Sequence, residues 1–403
     1  MAYCRIILHL LLAILMVYVS YLRQMLILEQ RVEFLEIFPS SPSPSNSSSL
    51  DPDPRWWIYQ FLLSAKHEEK LETGNSSSRP IEYDFYHDSC PKAEQIVRAI
   101  VEDLYRARPE VAPALLRLLF HDCFIQGCDA SVLLDSTEGM TSEKDSPLNE
   151  SLRGFGLIDQ IKSKLEGHCP GVVSCADILV LAARDSVALS GGPFYPVYTG
   201  RRDSTVAFSD RATAELPNPY DHLPVHLASF ASRGFDGREI VTLLGAHSIG
   251  VIDCKFFEKR LYHFDGSNKP DPSLDLGFLD LMRTRCNNSN IESSQGPETS
   301  SPDSPSLTTV HNSSTEERGL VPMNYEGSAF GTQYYHSLLQ GKGILYADQQ
   351  LMAMEETGNW VRAYALDASL FRRDFALAMM KLSDLQVLTA PMGQIRLTCS
   401  KVA

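Results

Sequence analysis

Arg117 and His121 stand four residues apart in the stretch Leu116-Arg117-Leu118-Leu119-Phe120-His121-Asp122-Cys123-Phe124-Ile125-Gln126-Gly127-Cys128-Asp129-Ala130-Ser131. On a helix that spacing puts both on one face. A fixed cation beside a potential base suits proton chemistry on a small peroxidic or acidic molecule. The same residues also read as a buried structural histidine, a surface arginine and a small disulfide loop. Close by, Asp122, Asp129 and Ser131 offer side-chain oxygens and Ile125 and Gly127 offer carbonyls. Such a set within one short loop suits calcium, with a solvated acidic loop as the alternative. A second histidine, His247, lies in Leu243-Leu244-Gly245-Ala246-His247-Ser248-Ile249-Gly250, whose apolar flanks mark a buried helix end.

The 403-residue chain is long enough for one large domain or two smaller ones. Its net charge of −14 and pI near 5.3 argue against a nucleic-acid partner, which requires a basic stripe. Of nine cysteines, Cys4 falls in an apolar leader and eight are dispersed through the rest. An even, dispersed set after such a leader points to disulfides formed in an oxidising compartment. Spacing alone allows on the order of a hundred pairings. No close pair of CxxC or HxxxH elements supports zinc.

These residues need elements to position them. Ile6 to Leu22 is an apolar run of 17 residues between Arg5 and Arg23, without a clean small-x-small cleavage site. Residues 1–38 therefore read as a signal peptide or membrane anchor plus an amphipathic segment, Met25 to Phe38, carrying Glu29, Arg31, Glu33 and Glu36. Residues 39–79 are a Ser/Pro-rich linker with acceptor sequons at Asn46 and Asn75. The folded domain spans residues 80–403. Pro91 suits a first helical position, and Val97, Ile100, Val101 and Leu104 mark a helical core stripe. Ser174 to Val187 and Arg238 to Ile249 read as apolar helices, and Phe371, Phe375, Ala378, Met379 and Leu382 recur at helical spacing. The domain is expected to be mainly α. A polar Ser, Thr, Pro and Asn stretch at about 288–320 reads as a disordered insertion, with Asn287 and Asn312 as sequons.

Taken as a block, Arg117 to Ser131 resembles the distal helix of the plant secretory (class III) haem peroxidases. The Asp84-Phe85-Tyr86-His87-Asp88-Ser89-Cys90-Pro91 start and the His247 segment extend the resemblance over residues 80–403, apart from the insertion. It implies an all-α fold with haem b between two helical halves. It makes His247 the axial haem ligand, with Asp348 as the carboxylate on its other ring nitrogen. It makes His121 the acid–base group, Arg117 the charge-stabilising group, and Asn149 the residue that orients His121. Asn149 also lies in a sequon, which the resemblance reads as accidental and buried. Phe120 stands where ascorbate-type relatives carry Trp, and the Pro217 carbonyl would contact aromatic donors.

The resemblance pairs Cys90 with Cys169, Cys123 with Cys128, Cys175 with Cys399, and Cys254 with Cys286. It places a distal calcium on Asp122, Ile125, Gly127, Asp129 and Ser131, supported by Glu143. At a proximal calcium site the chain departs from the family: Ser248 replaces the usual Thr, and Asn324 and Gly331 fall where carboxylates are expected. One calcium rather than two is expected, and Met323 replaces a phenylalanine beside the axial histidine. The implied activity is reduction of hydrogen peroxide followed by one-electron oxidation of small phenolic donors, by a monomer in the extracellular space or cell wall, with membrane anchoring open. A catalytically weakened, peroxidase-like surface protein is the alternative.

Overall fold

The computed structural model describes residues 81–291, 320–323 and 329–403. The expected leader and linker, and most of the expected insertion, lie outside these residues, as does Asn324. Among the described residues no helix is long and apolar enough to cross a membrane. They are mainly helical, as expected. Among the described residues the one two-stranded sheet is β1 (Val251–Asp253) against β2 (Leu320–Pro322), antiparallel, with Ile252 opposite Val321.

The first half is built from α1 (Ala93–Ala107), α2 (Val111–Cys123), α3 (Phe155–Glu166) and α4 (Cys175–Leu189). Every residue of α4 from Cys175 to Val187 is buried. A helix buried on every face has to lie at the centre, and α1, α2 and α3 pack around it. The Ser174 hydroxyl caps α4 by accepting from the Asp177 amide, 3.1 Å. On α1 the buried side chains are Ala93, Val97 and Val101. Pro91 does not open this helix: Lys92 is the N-cap and the helix begins at Ala93, so the proline belongs to the preceding turn.

After α5 (Ser209–Glu215) and α6 (Leu223–Ala231) comes α7 (Gly237–Leu244), opened by a capping box between Asp236 and Glu239. The sequence expectation ran this helix to Ile249. The α-helix instead ends at Leu244 and tightens into a 3₁₀ turn, Gly245–Ser248. Packing accounts for the change. A Cβ at Gly245 would sit 2.3 Å from the Tyr335 hydroxyl and 2.6 Å from Phe371, so the chain passes where only glycine fits.

Then follow α8 (Glu258–Tyr262), α9 (Leu276–Ile291), α10 (Gln333–Leu339), α11 (Tyr346–Gln349), α12 (Glu355–Leu366) and α13 (Ala368–Ser383). Helix α9 continues through Ile291 and β2 begins at Leu320, so ordered backbone enters the segment expected as insertion from both ends.

Four disulfides cross-link the fold: Cys90–Cys169, Cys123–Cys128, Cys175–Cys399 and Cys254–Cys286. The third ties the C-terminal tail to the start of α4. Beside it the fully buried Arg201 donates to Asp177 at 2.9 Å and to the Ser383 carbonyl at 2.7 Å. Asp177 also accepts from the Tyr86 hydroxyl and the Gly200 amide, both 2.7 Å. One ion pair thus joins the domain's start, its central helix and the end of α13. Removing one partner leaves the other charge buried and uncompensated. Arg201→Leu should therefore lower unfolding stability by about 3–5 kcal/mol, read from urea transitions under non-reducing conditions; a loss below about 1 kcal/mol, typical of an exposed pair, would contradict this role.

Candidate active site

Helix α2 carries Arg117 and His121 on one face, as their spacing requires. The following loop holds both. His121 Nδ1 lies 2.6 Å from Asn149 Oδ1, and Asn149 Nδ2 donates to the Glu143 carbonyl at 2.8 Å. With both ends of its amide committed and the side chain buried, Asn149 is closed to glycosylation despite its sequon. Arg117 donates to Ser151 Oγ and to the Leu148 carbonyl, both at 2.9 Å. Burial, and then the nearby Arg117 charge, hold the His121 pKa down at about 3. Burial lowers Arg117 to about 10. At neutral pH this leaves a neutral imidazole beside a guanidinium. Phe120 stacks on Phe124 with ring centroids 4.8 Å apart and reaches Phe230 at 6.0 Å.

The second histidine, on the 3₁₀ turn after α7, is held in the same manner. His247 Nδ1 lies 2.8 Å from Asp348 Oδ1 on α11. Asp348 is buried and accepts a second hydrogen bond from the Tyr334 hydroxyl at 2.9 Å. The ring beside His247 is Tyr334, in an edge contact at 6.3 Å. Tyr334 and Ser151 were not expected from sequence, because nothing in local spacing links Tyr334 to His247 or Ser151 to Arg117. Nε2 of both histidines takes no hydrogen bond from the described residues, so both are free for a ligand or a proton. A carboxylate-backed imidazole is the donor that a metal centre takes, so the residues fit an iron cofactor.

A family profile described as peroxidase matches residues 97–367. The chain belongs to the peroxidase family. It is 52% identical over 332 residues to "Putative Peroxidase 48" of Arabidopsis thaliana, covering 80% of this chain and 82% of that one. It is 38% identical to Peroxidase 47 of the same plant, over 81% of this chain and 90% of the relative. With Peroxidase 5 of Vitis vinifera it shares 40% identity, over 85% and 95%. The protein is a peroxidase, and its mainly helical architecture is that of the family.

The peroxidase also carries a cluster of buried acids behind α2. Asp122 accepts from the Ala130 amide at 3.0 Å, and Asp129 from the Ser131 amide at 3.0 Å. Glu143 accepts from the Phe208 amide at 3.0 Å through one oxygen. Its other oxygen and the Ser131 hydroxyl are buried with no hydrogen bond of good geometry. Gly127, at φ +127°, passes so near Gln386 that a Cβ would meet its carbonyl at 2.5 Å. No group of three or more His, Cys, Asp and Glu side chains poised for a metal occurs among the described residues. The loop instead mixes carboxylates with a hydroxyl and backbone carbonyls, which is a hard-cation set, and its orphaned oxygens fit one. On the other side, buried Ser248 Oγ meets the Gly331 amide at 3.4 Å, a donor where a cation site needs an acceptor.

The buried acids give the metal-free protein a distinct pH response. Burial pushes Glu143 up from 4.5 to about 7. Burial and then Asp129 raise Asp122. A carboxyl raised on folding contributes stability below its unfolded pKa and loses it as pH climbs through the folded value. In chelator, the melting temperature should therefore fall between pH 4.5 and 7, and calcium should restore it more at pH 7.5 than at pH 5. A calcium effect independent of pH would contradict this assignment.

Proposed function

We propose that the protein is a haem b peroxidase that reduces hydrogen peroxide and oxidises small phenolic donors, with His247 as the residue that would hold the haem iron. The observation that carries this reading is the clamping of both imidazoles through Nδ1 on buried oxygens of different charge. Haem, when bound, would supply the redox chemistry by which hydrogen peroxide is reduced and donors are oxidised one electron at a time. The Asp348 carboxylate takes the Nδ1 proton in a hydrogen bond, which fixes the His247 tautomer and leaves Nε2 to a metal. The Asn149 amide oxygen holds a proton on His121 Nδ1, so Nε2 is a base. His121 then takes a proton from one peroxide oxygen and returns it to the departing one. Arg117, protonated throughout, stabilises the charge that develops between them. Phe120 walls the site, and Pro217, half-buried in the loop before α6, is the proposed contact for donors.

Asp122, Asp129, Ser131 and Glu143, with the Ile125 and Gly127 carbonyls, are proposed to hold one calcium. Ser248 is a poor candidate for a second, given the Gly331 amide at its hydroxyl. Four disulfides support an extracellular setting. The alternative of a weakened surface protein gains no support from the site, where each hydrogen bond expected of a working pair is made.

His247→Ala should lose or shift the Soret band of the haem-loaded chain, and an unchanged ferric spectrum would remove the ligand assignment. His121→Ala should retain haem and react with hydrogen peroxide about 10²–10⁴ times more slowly. Because His121 stays neutral above about pH 3, the wild-type rate should be flat from pH 5 to 8. A stopped-flow profile rising through pH 6.5 would contradict the buried, neutral imidazole.

A further inference from the structure

Two donors converge on one atom of Asp348. His247 Nδ1 lies 2.8 Å from its Oδ1, and the Tyr334 hydroxyl donates to that same Oδ1 at 2.9 Å. Asp348 is 1% exposed and Tyr334 4%, so both contacts are made away from bulk water. Burial, and then the Asp348 charge, hold the Tyr334 pKa well above the ordinary phenol value. The hydroxyl therefore keeps its proton and remains a donor.

The fold builds this approach in. Tyr334 is on the first turn of α10 and Asp348 is on α11. Beside Asp348, Gln349 ties the two helices together. Its Nε2 donates to the Leu338 carbonyl near the end of α10, and its Oε1 accepts from the Gly343 amide between the helices, both at 3.0 Å. On the other side of Asp348, the Ala347 amide donates to the Pro219 carbonyl at 3.0 Å. The Tyr334 ring is held too, edge-on to Tyr335 at 5.0 Å and to His247 at 6.3 Å. Arg260 is a cation near enough to feel the Asp348 charge. It directs its hydrogen bonds to Asp271 at 2.8 Å and to the Gly343 and Ile344 carbonyls, at 2.6 and 2.7 Å.

Two hydrogen bonds to one oxygen draw on the same charge. A hydrogen bond to the ionised form of a carboxylate favours that form and makes it a weaker base. The stronger a base Asp348 is, the further the Nδ1 proton shifts toward it and the more anionic the imidazole becomes. The Tyr334 hydroxyl opposes that shift. We propose that Tyr334 is a positioning residue for His247, limiting through the shared Asp348 oxygen how much negative charge the imidazole carries toward the iron it would hold. The proposal rests on the reading that His247 holds haem. Hydrogen bonding behind an iron ligand is one of the levers on reduction potential. A less anionic imidazole favours ferric iron less, so the hydroxyl sets the potential above the value the carboxylate alone would give.

The test is resonance Raman spectroscopy of the ferrous, haem-loaded full chain together with its spectroelectrochemical titration. Tyr334→Phe keeps the ring and removes the hydroxyl. Its iron–histidine band should move to higher frequency than wild type. Its ferric/ferrous equilibrium should shift about tenfold toward ferric, a fall of about 59 mV for one electron. That shift is a fraction of what one charge-assisted hydrogen bond is worth. Site-specific 3-fluorotyrosine at position 334, a more acidic donor of nearly the same shape, should move both readouts the opposite way. In an Asp348→Asn background, Tyr334→Phe should move the potential far less, because the carboxylate it acts through is gone. A band and potential unchanged in Tyr334→Phe, shifts in the same direction for phenylalanine and fluorotyrosine, or shifts of equal size with and without the carboxylate would overturn the role. The reading it rests on fails differently, through absence of any histidine-derived band in the unaltered chain.

Discussion

An imidazole can aim one nitrogen only if the other is held, and this fold holds two of them. His121 and His247 are each anchored through Nδ1 to a buried oxygen, at 2.6 and 2.8 Å. Much of the surrounding structure can be understood as support for those two contacts. Asn149 reaches His121 because its own amide is tied to the Glu143 carbonyl. His247 reaches Asp348 because α7 gives way to a 3₁₀ turn where Gly245 slips past Tyr335 and Phe371. The difference between the two oxygens sets the difference in chemistry. Burial and the Arg117 charge keep His121 uncharged while the Asn149 amide orients it, whereas a carboxylate at Nδ1 is the setting in which an imidazole serves a metal.

The buried polar groups have a common economy. Asp177 and Arg201 neutralise each other while binding the Gly200 amide and the Ser383 carbonyl. Asp203 serves similarly, taking the Ala176 amide on one oxygen and the Arg396 amide on the other. Arg396 in turn donates to the Ala130 and Cys399 carbonyls, at 2.9 and 2.6 Å. The C-terminal tail is thereby threaded into the distal loop that carries the acids. A cation bound there would therefore stiffen the loop from which Asn149 and Glu143 position His121. Local binding and distant catalytic geometry are joined by short backbone paths rather than by a long relay.

Part of this was legible in the chain. The four-residue spacing of Arg117 and His121 dictates a shared helical face, and the largely apolar stretch from Ser174 to Val187 marks a helix of the core. Resemblance supplied Asn149, Asp348 and the cysteine pairs, which no local pattern could connect. Other features depend on tertiary packing and left no signal. Helix α7 stops early where Gly245 passes Tyr335 and Phe371, one about ninety and the other more than 120 residues later in the chain. Pro91 belongs to a turn because Lys92 caps the helix. Tyr334 became a partner of Asp348 only when α10 and α11 folded together.

The central claim is that a carboxylate-backed His247 ligates haem iron, and the most direct measurement is the iron–histidine stretch in the resonance Raman spectrum of the ferrous, haem-loaded chain. The account predicts a single such band in wild type and a shift to lower frequency in Asp348→Asn, because an amide cannot draw the Nδ1 proton as a carboxylate does. Absence of a histidine-derived band, or an identical frequency in the variant, would contradict it.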